Sequence, residues 1–96
     1  MTTRESSRST AILARLNAIL GCHAEKVWTG GPFGRVGAPD ITGCYFGHRF
    51  ELEVKVEGKK ARKVQAARLR TWADAGAAVA VVTSADEAEE VVRGIH

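Results

Sequence analysis

Apolar positions along the chain recur with three different periods, and each period names an element. Over residues 5–20, Ile12, Leu16 and Ile19 repeat at helical spacing and Leu13 and Leu20 widen the stripe, which predicts a helix with Gly21 as its stop. From Phe50 to Val56 the period falls to two. Phe50, Leu52, Val54 and Val56 alternate with Glu51, Glu53 and Lys55, the pattern of a strand with one apolar and one charged face. Residues 77–83, Ala-Ala-Val-Ala-Val-Val-Thr, are almost continuously apolar, which predicts a strand buried on both faces.

Punctuation supplies the rest. Residues 25–28 read as a short strand and 29–39 as a glycine-rich loop ended by Pro39, which turns the preceding residue away from helix. Residues 41–46 and 49–56 read as two strands joined by a tight Gly47-His48 hairpin. A turn at 57–60 leads to a helix at 61–75, stopped by Gly76. Ser84 or Asp86 caps a last helix that runs through Arg93. The order is α-β-β-β-α-β-α. It predicts an α/β domain with a mixed central sheet flanked by helices, the third strand crossing over a helix to a parallel fourth.

At 96 residues the chain makes one small domain over positions 1–96. With 45% hydrophobic and 26% charged residues it is neither a disordered, collagen-like nor coiled-coil sequence. No apolar run approaches the ~18–20 residues that span a bilayer, and the polar stretch Met1 to Arg8 lacks a signal-peptide core. No membrane partner is expected. Two cysteines do not frame a disulfide scaffold, so a reducing, cytoplasmic setting is expected.

The formal charge of +3 hides a split. Residues 1–73 carry thirteen basic and six acidic side chains, a net +7, whereas residues 74–96 carry one and five, a net −4. The excess peaks where Lys55, Lys59, Lys60, Arg62, Lys63, Arg68 and Arg70 face only Glu57, a pattern suited to a polyanion.

Candidate chemistry gathers on the charged face of the 49–56 strand. Glu53 and Lys55 are neighbours there, and the hairpin brings Asp40 beside them. Two carboxylates repel unless a cation stands between them, and Mg²⁺ is often held by one or two carboxylates plus water and phosphate. Gln65 shares the inward stripe of its helix with Leu69 and Trp72, an unusual place for an amide. Glu5 lies on the Ile12-Leu16-Ile19 stripe at the start of the first helix. Trp28 and Trp72 read as core or interface residues rather than base-stacking platforms. Cys22, His23, Cys44 and His48 follow no standard zinc spacing. Gly31, Gly34 and Gly37 lack the Lys-Ser/Thr that follows a phosphate loop.

In order along the chain stand Glu5, Gly37-Ala38-Pro39-Asp40, Glu53-Val54-Lys55, Gln65, Gly76 and the strand at 78–83. This series resembles the viral replication and repair nuclease (VRR-NUC) domain of the PD-(D/E)XK nuclease superfamily, over about residues 5–92. Many relatives place Ser or Thr and a Pro or acid before the Gln, where this chain has Arg62-Lys63-Val64. The resemblance implies a restriction-endonuclease-like core. It makes Asp40 and Glu53 the principal metal ligands, with the Val54 carbonyl completing the shell. Lys55 then orients the attacking water and stabilises transition-state charge, Gln65 fixes the metal-bound water or Lys55, and Glu5 is an additional acid. Mg²⁺, with Mn²⁺ as a substitute, is the implied cofactor. Lys59, Lys60, Arg62 and Lys63 would track DNA phosphates, with Arg35 of the glycine-rich loop reaching the same backbone.

The implied activity is metal-dependent, structure-specific cleavage of branched DNA such as four-way junctions or flaps, by a homodimer. A less selective nicking nuclease, or a non-catalytic nucleic-acid-binding module of the same fold, are the alternatives.

Overall fold

A computed structural model describes residues 4–27, 37–56 and 58–96 of the chain, and the side chains of residues 4–6 are not among what it describes. The expectations for Trp28, Gly31, Gly34 and Arg35 lie outside the described residues.

The element order is α1 (Arg4–Asn17), β1 (Cys22–Lys26), β2 (Ile41–Tyr45), β3 (His48–Val54), α2 (Lys63–Asp74), β4 (Ala78–Val82) and α3 (Ala85–Arg93). The four strands form one sheet in the order β1-β2-β3-β4. The first two pairs are antiparallel and β3–β4 is parallel, as the helical crossover predicts. Apolar side chains of alternating strand positions, Ile41, Phe50, Leu52, Val54 and Val82, meet Ile12, Leu16 and Ile19 of the α1 stretch and Ala88 and Val92 of α3 in one core. α2 packs on β3 and β4 with Gln65 and Leu69 as its buried residues. The sheet therefore has α1 and α3 on one face and α2 on the other.

Several boundaries differ from the predicted ones for identifiable reasons. α1 ends at Asn17 rather than residue 20, so Leu20 lies beyond it and is 85% exposed instead of widening the stripe. The Asn17 amide is spent on β1: its Nδ2 donates to the Ala24 carbonyl at 3.0 Å and its Oδ1 accepts the Ala24 N–H at 2.8 Å. That anchor belongs to a strand over Cys22–Lys26 rather than 25–28. The hairpin turns at Phe46-Gly47, not Gly47-His48, because Tyr45 pairs with His48. Both turn residues have positive φ, 46° and 85°, as a two-residue hairpin of the right twist requires, and Gly47 takes the second place. β4 is an end strand with only Val82 buried, so its continuous apolar run does not signal burial on both faces.

The acidic C-terminal stretch is absorbed within the fold. Arg15 of α1 bonds Asp86 at 2.7 Å and Glu89 at 3.1 Å, and Arg93 bonds Glu89 at 2.7 Å. Ser84 caps α3 by accepting the Glu87 N–H.

Candidate metal centre and nucleic-acid interface

The site is assembled where β2 begins and β3 ends. Ile41 pairs with Leu52, so Asp40, one residue earlier, stands opposite Glu53. Its position is fixed twice. The Asp40 carbonyl accepts the Val27 N–H at 2.8 Å, and its Oδ2 accepts the Val54 N–H at 2.8 Å. Pro39 and Gly37 before it are buried. Gly37 has φ +78°, and a Cβ there would stand 2.8 Å from a Val64 methyl and 2.9 Å from the Val64 carbonyl oxygen. Only glycine lets the loop entering the site press this close to the first turn of α2.

On β3 the alternation holds, but its charged face is not solvated. Glu51 and Glu53 are each 1% exposed, because α2 lies over this half of the sheet. Glu53 Oε2 stands 3.3 Å from Lys55 Nζ, whose side chain is 12% exposed. Lys55 is held in turn by its N–H on the Val82 carbonyl at the end of β4. A carboxylate taken out of water needs a cation beside it, and here that cation is on the next residue of the same face.

Glu51 belongs to a second buried network that the motif does not contain. Its Oε2 accepts the Thr42 hydroxyl at 2.6 Å and Arg49 Nε at 2.8 Å. Arg49 also donates to Thr42 Oγ1 at 3.1 Å and lies over the Trp72 ring, 4.2 Å from its centroid. The only sequence signal was that Glu51 shares a face with Glu53. Arg49 lies two residues earlier on the same face of β3, but Thr42 comes from β2 and Trp72, beneath Arg49, from α2, and spacing along the chain does not reveal those two.

Gln65 is buried on α2 as its stripe predicted. Its Oε1 accepts the N–H of Arg62, the cap residue in extended conformation, at 2.8 Å. The Gln thus closes the helix start that the sequence Arg62-Lys63-Val64 leaves without a Ser or Thr, and its carbonyl is directed to the cap rather than to Lys55. Glu5 lies in the first turns of α1. Arg8, three residues on, donates to the Thr83 carbonyl just past β4, which sets this end of α1 at the same end of the sheet as Asp40 and Lys55. Lys59, Lys60 and Arg62, in the connection from the site to α2, and Lys63, the first residue of α2, are exposed.

Among the described residues no group of three or more His, Cys, Asp or Glu side chains is placed to hold a metal. Two carboxylates, Asp40 and Glu53, and the backbone oxygen of Val54 form a sparse set of hard oxygen donors. That chemistry fits Mg²⁺, which keeps several waters and takes one or two carboxylates, and does not fit zinc. A carboxylate offers about four lone-pair sites, so the bond from Val54 leaves Asp40 able to ligate.

No protein-family model matches the chain, and no curated protein does. A solved structure described as a VRR_NUC domain superposes with a TM-score of 0.76 at 26% identity, covering 99% of this chain and 100% of that one. The chain has the fold of that domain, in agreement with the family resemblance of the sequence. The likeness supports a nuclease-type function, and with it DNA binding. No helix of the described residues is long and apolar enough to cross a membrane.

Proposed function

We propose that this protein is a metal-dependent, structure-specific endonuclease that hydrolyses phosphodiester bonds in branched DNA such as four-way junctions or flaps, working as a homodimer. The observation that carries the reading is the arrangement of Asp40 opposite Glu53, with Asp40 bonded to the Val54 N–H at 2.8 Å and Glu53 paired to Lys55 at 3.3 Å.

Asp40, Glu53 and the Val54 carbonyl would hold Mg²⁺ or, in its place, Mn²⁺. When bound, the cation lowers the pKa of water and neutralises phosphate charge. Lys55 sets an ammonium beside the scissile phosphate and offsets the negative charge that grows in the transition state. Its pairing with Glu53 fixes it before substrate arrives, which is where a preorganised charge gains its effect. Gln65 holds the start of α2 against the site, and Glu5 supplies a further acid from the end of α1 nearest it. Lys59, Lys60, Arg62 and Lys63, with Arg35, meet the phosphates that flank the cut, and binding through them weakens steeply with salt. Two copies would supply paired nicks, and a 96-residue core gains from a second interface.

The test is incubation with labelled four-way junction, flap and linear duplex in Mg²⁺, Mn²⁺ or EDTA. Cleavage of the branched substrates that stops in EDTA is expected. Binding without cleavage of any substrate would overturn the enzymatic reading, and a mass in solution equal to one 10.3 kDa chain would overturn the dimer.

A further inference from the structure

Among the described residues, α2 covers the face of the sheet that carries Glu53 and Lys55 mainly over β3 and β4. Over β1 and β2 the described residues leave a groove of roughly 360 Å³ lined by His23, Glu25, Thr42, Gly43, Cys44 and Arg49. Register places it. His23 pairs with Cys44, which pairs with Arg49, and Glu25 pairs with Thr42, which pairs with Glu51. The next row on the same face is Asp40 with Glu53, so the groove starts about 7 Å from the proposed metal centre, two strand residues away.

We infer that this groove receives an unpaired nucleotide of the substrate strand next to the scissile phosphate. The inference rests on the nuclease reading. Volume fits: the groove is within the ~300–1,000 Å³ of sites that take small organic groups. Its chemistry fits a nucleobase edge better than a phosphate, because donors and acceptors are mixed. Arg49 spends Nε on Glu51 and Nη2 on Thr42, yet its side chain lines the groove, remains 53% exposed and has further N–H groups to donate. Glu25, bonded to His23 Nε2 at 2.8 Å, offers a carboxylate that would repel a phosphate but accepts from an exocyclic amine. A base inside a duplex has its edge occupied and must be unstacked, at a cost that is least for one already single-stranded. The groove therefore favours DNA with an unpaired nucleotide at the cut, which gives a branched substrate a physical advantage over plain duplex.

Cys44 lies in the groove and is exposed, whereas burial pushes the Cys22 thiol up and makes it slow to react. The test is the rate at which N-ethylmaleimide alkylates Cys44 in a Cys22→Ser chain. If that chain does not fold, peptide mass spectrometry separates the two thiols of the unaltered protein. Reactions run in EDTA, which keeps DNA uncut, with no DNA, with a blunt duplex, and with the same duplex carrying a single-stranded flap. Gel shifts fix the occupancy. At flap DNA ten times its half-saturating level, Cys44 should react about ten-fold slower, with little change in saturating duplex. An unchanged rate while flap DNA is bound overturns the groove and leaves the nuclease reading standing. Equal protection by duplex and flap overturns the preference for an unpaired nucleotide. No gel shift with any DNA overturns both readings.

Discussion

The Asp40 carboxylate accepts the backbone N–H of Val54 across the β2–β3 pair, so the residue just before one strand is tied to the residue that ends the other. The bond needs an oxygen at that position but not a charge. Asp40→Asn retains an acceptor and should keep its fold, with a melting temperature near that of the unaltered chain. Loss of the charge should lower the cleavage rate at least ~10²-fold, the scale of removing one electrostatic stabiliser. Asp40→Ala should lose both, and thermal melts beside cleavage assays separate the two effects.

Glu53 is buried with Lys55 as the cation beside it. Lys55→Met leaves a buried carboxylate without that cation, which typically costs ~3–5 kcal/mol. The double variant Glu53→Gln/Lys55→Met should be more stable than Lys55→Met alone while remaining as inactive. Urea titrations of the unaltered chain, these two variants and Glu53→Gln alone give the coupling, and additive losses would show that the pair does not act as one.

Addition of Mg²⁺ should raise the melting temperature of the unaltered chain in a concentration-dependent way, since a ligand of the folded state stabilises it by mass action. Asp40→Asn and Glu53→Gln should blunt that rise. Calorimetric scans across a Mg²⁺ series check it without any cleavage assay.

Gly37→Ala should destabilise by about 1–3 kcal/mol, because φ +78° strains any L side chain and the new Cβ meets Val64. Shortening Val64 to Ala should not restore the loss. The backbone carbonyl of Val64 stands almost as close as its methyl, and the dihedral is unchanged. Chemical denaturation of the single and double variants distinguishes relief from no relief.

The site's outline was legible because it depends on periods and on glycine. Two-residue alternation put Glu53 and Lys55 on one face, and the motif Gly37-Ala38-Pro39-Asp40 contains the glycine that the close contact with Val64 requires. What the sequence did not show depends on contacts between elements. Glu51 gains its place from Thr42 on β2, and its strand neighbour Arg49 is set by Trp72 on α2. The hairpin moved by one residue because glycine fits either central position, and only the cross-strand pairing of Tyr45 with His48 chooses. β4 reads as a buried strand although it ends the sheet, since an apolar run carries no record of how many neighbours it has.

Acid should loosen the α1–α3 contact. Hydrogen bonds from Arg93 and then Arg15 hold the Glu89 carboxyl below its usual range. A carboxyl depressed in the folded state contributes its full share above the unfolded pKa, near 4.5, and loses it as pH falls through the lower folded value. Glu89→Gln should therefore flatten part of the acid limb of a stability-against-pH curve below that point and leave the neutral and alkaline limbs unchanged. Denaturation midpoints over an acid series measure it.

Asn17 bonds both peptide groups of Ala24, and in doing so it imitates one unit of a neighbouring strand. An end strand with open peptide groups is a template on which another chain can add itself. Here a helix residue occupies that template at Ala24, the middle of β1, so a side chain blocks pairing of another strand at that point. Two copies that associate are steered to some other surface, and an Asn17→Ala chain should show the difference as concentration-dependent aggregation at unchanged net charge.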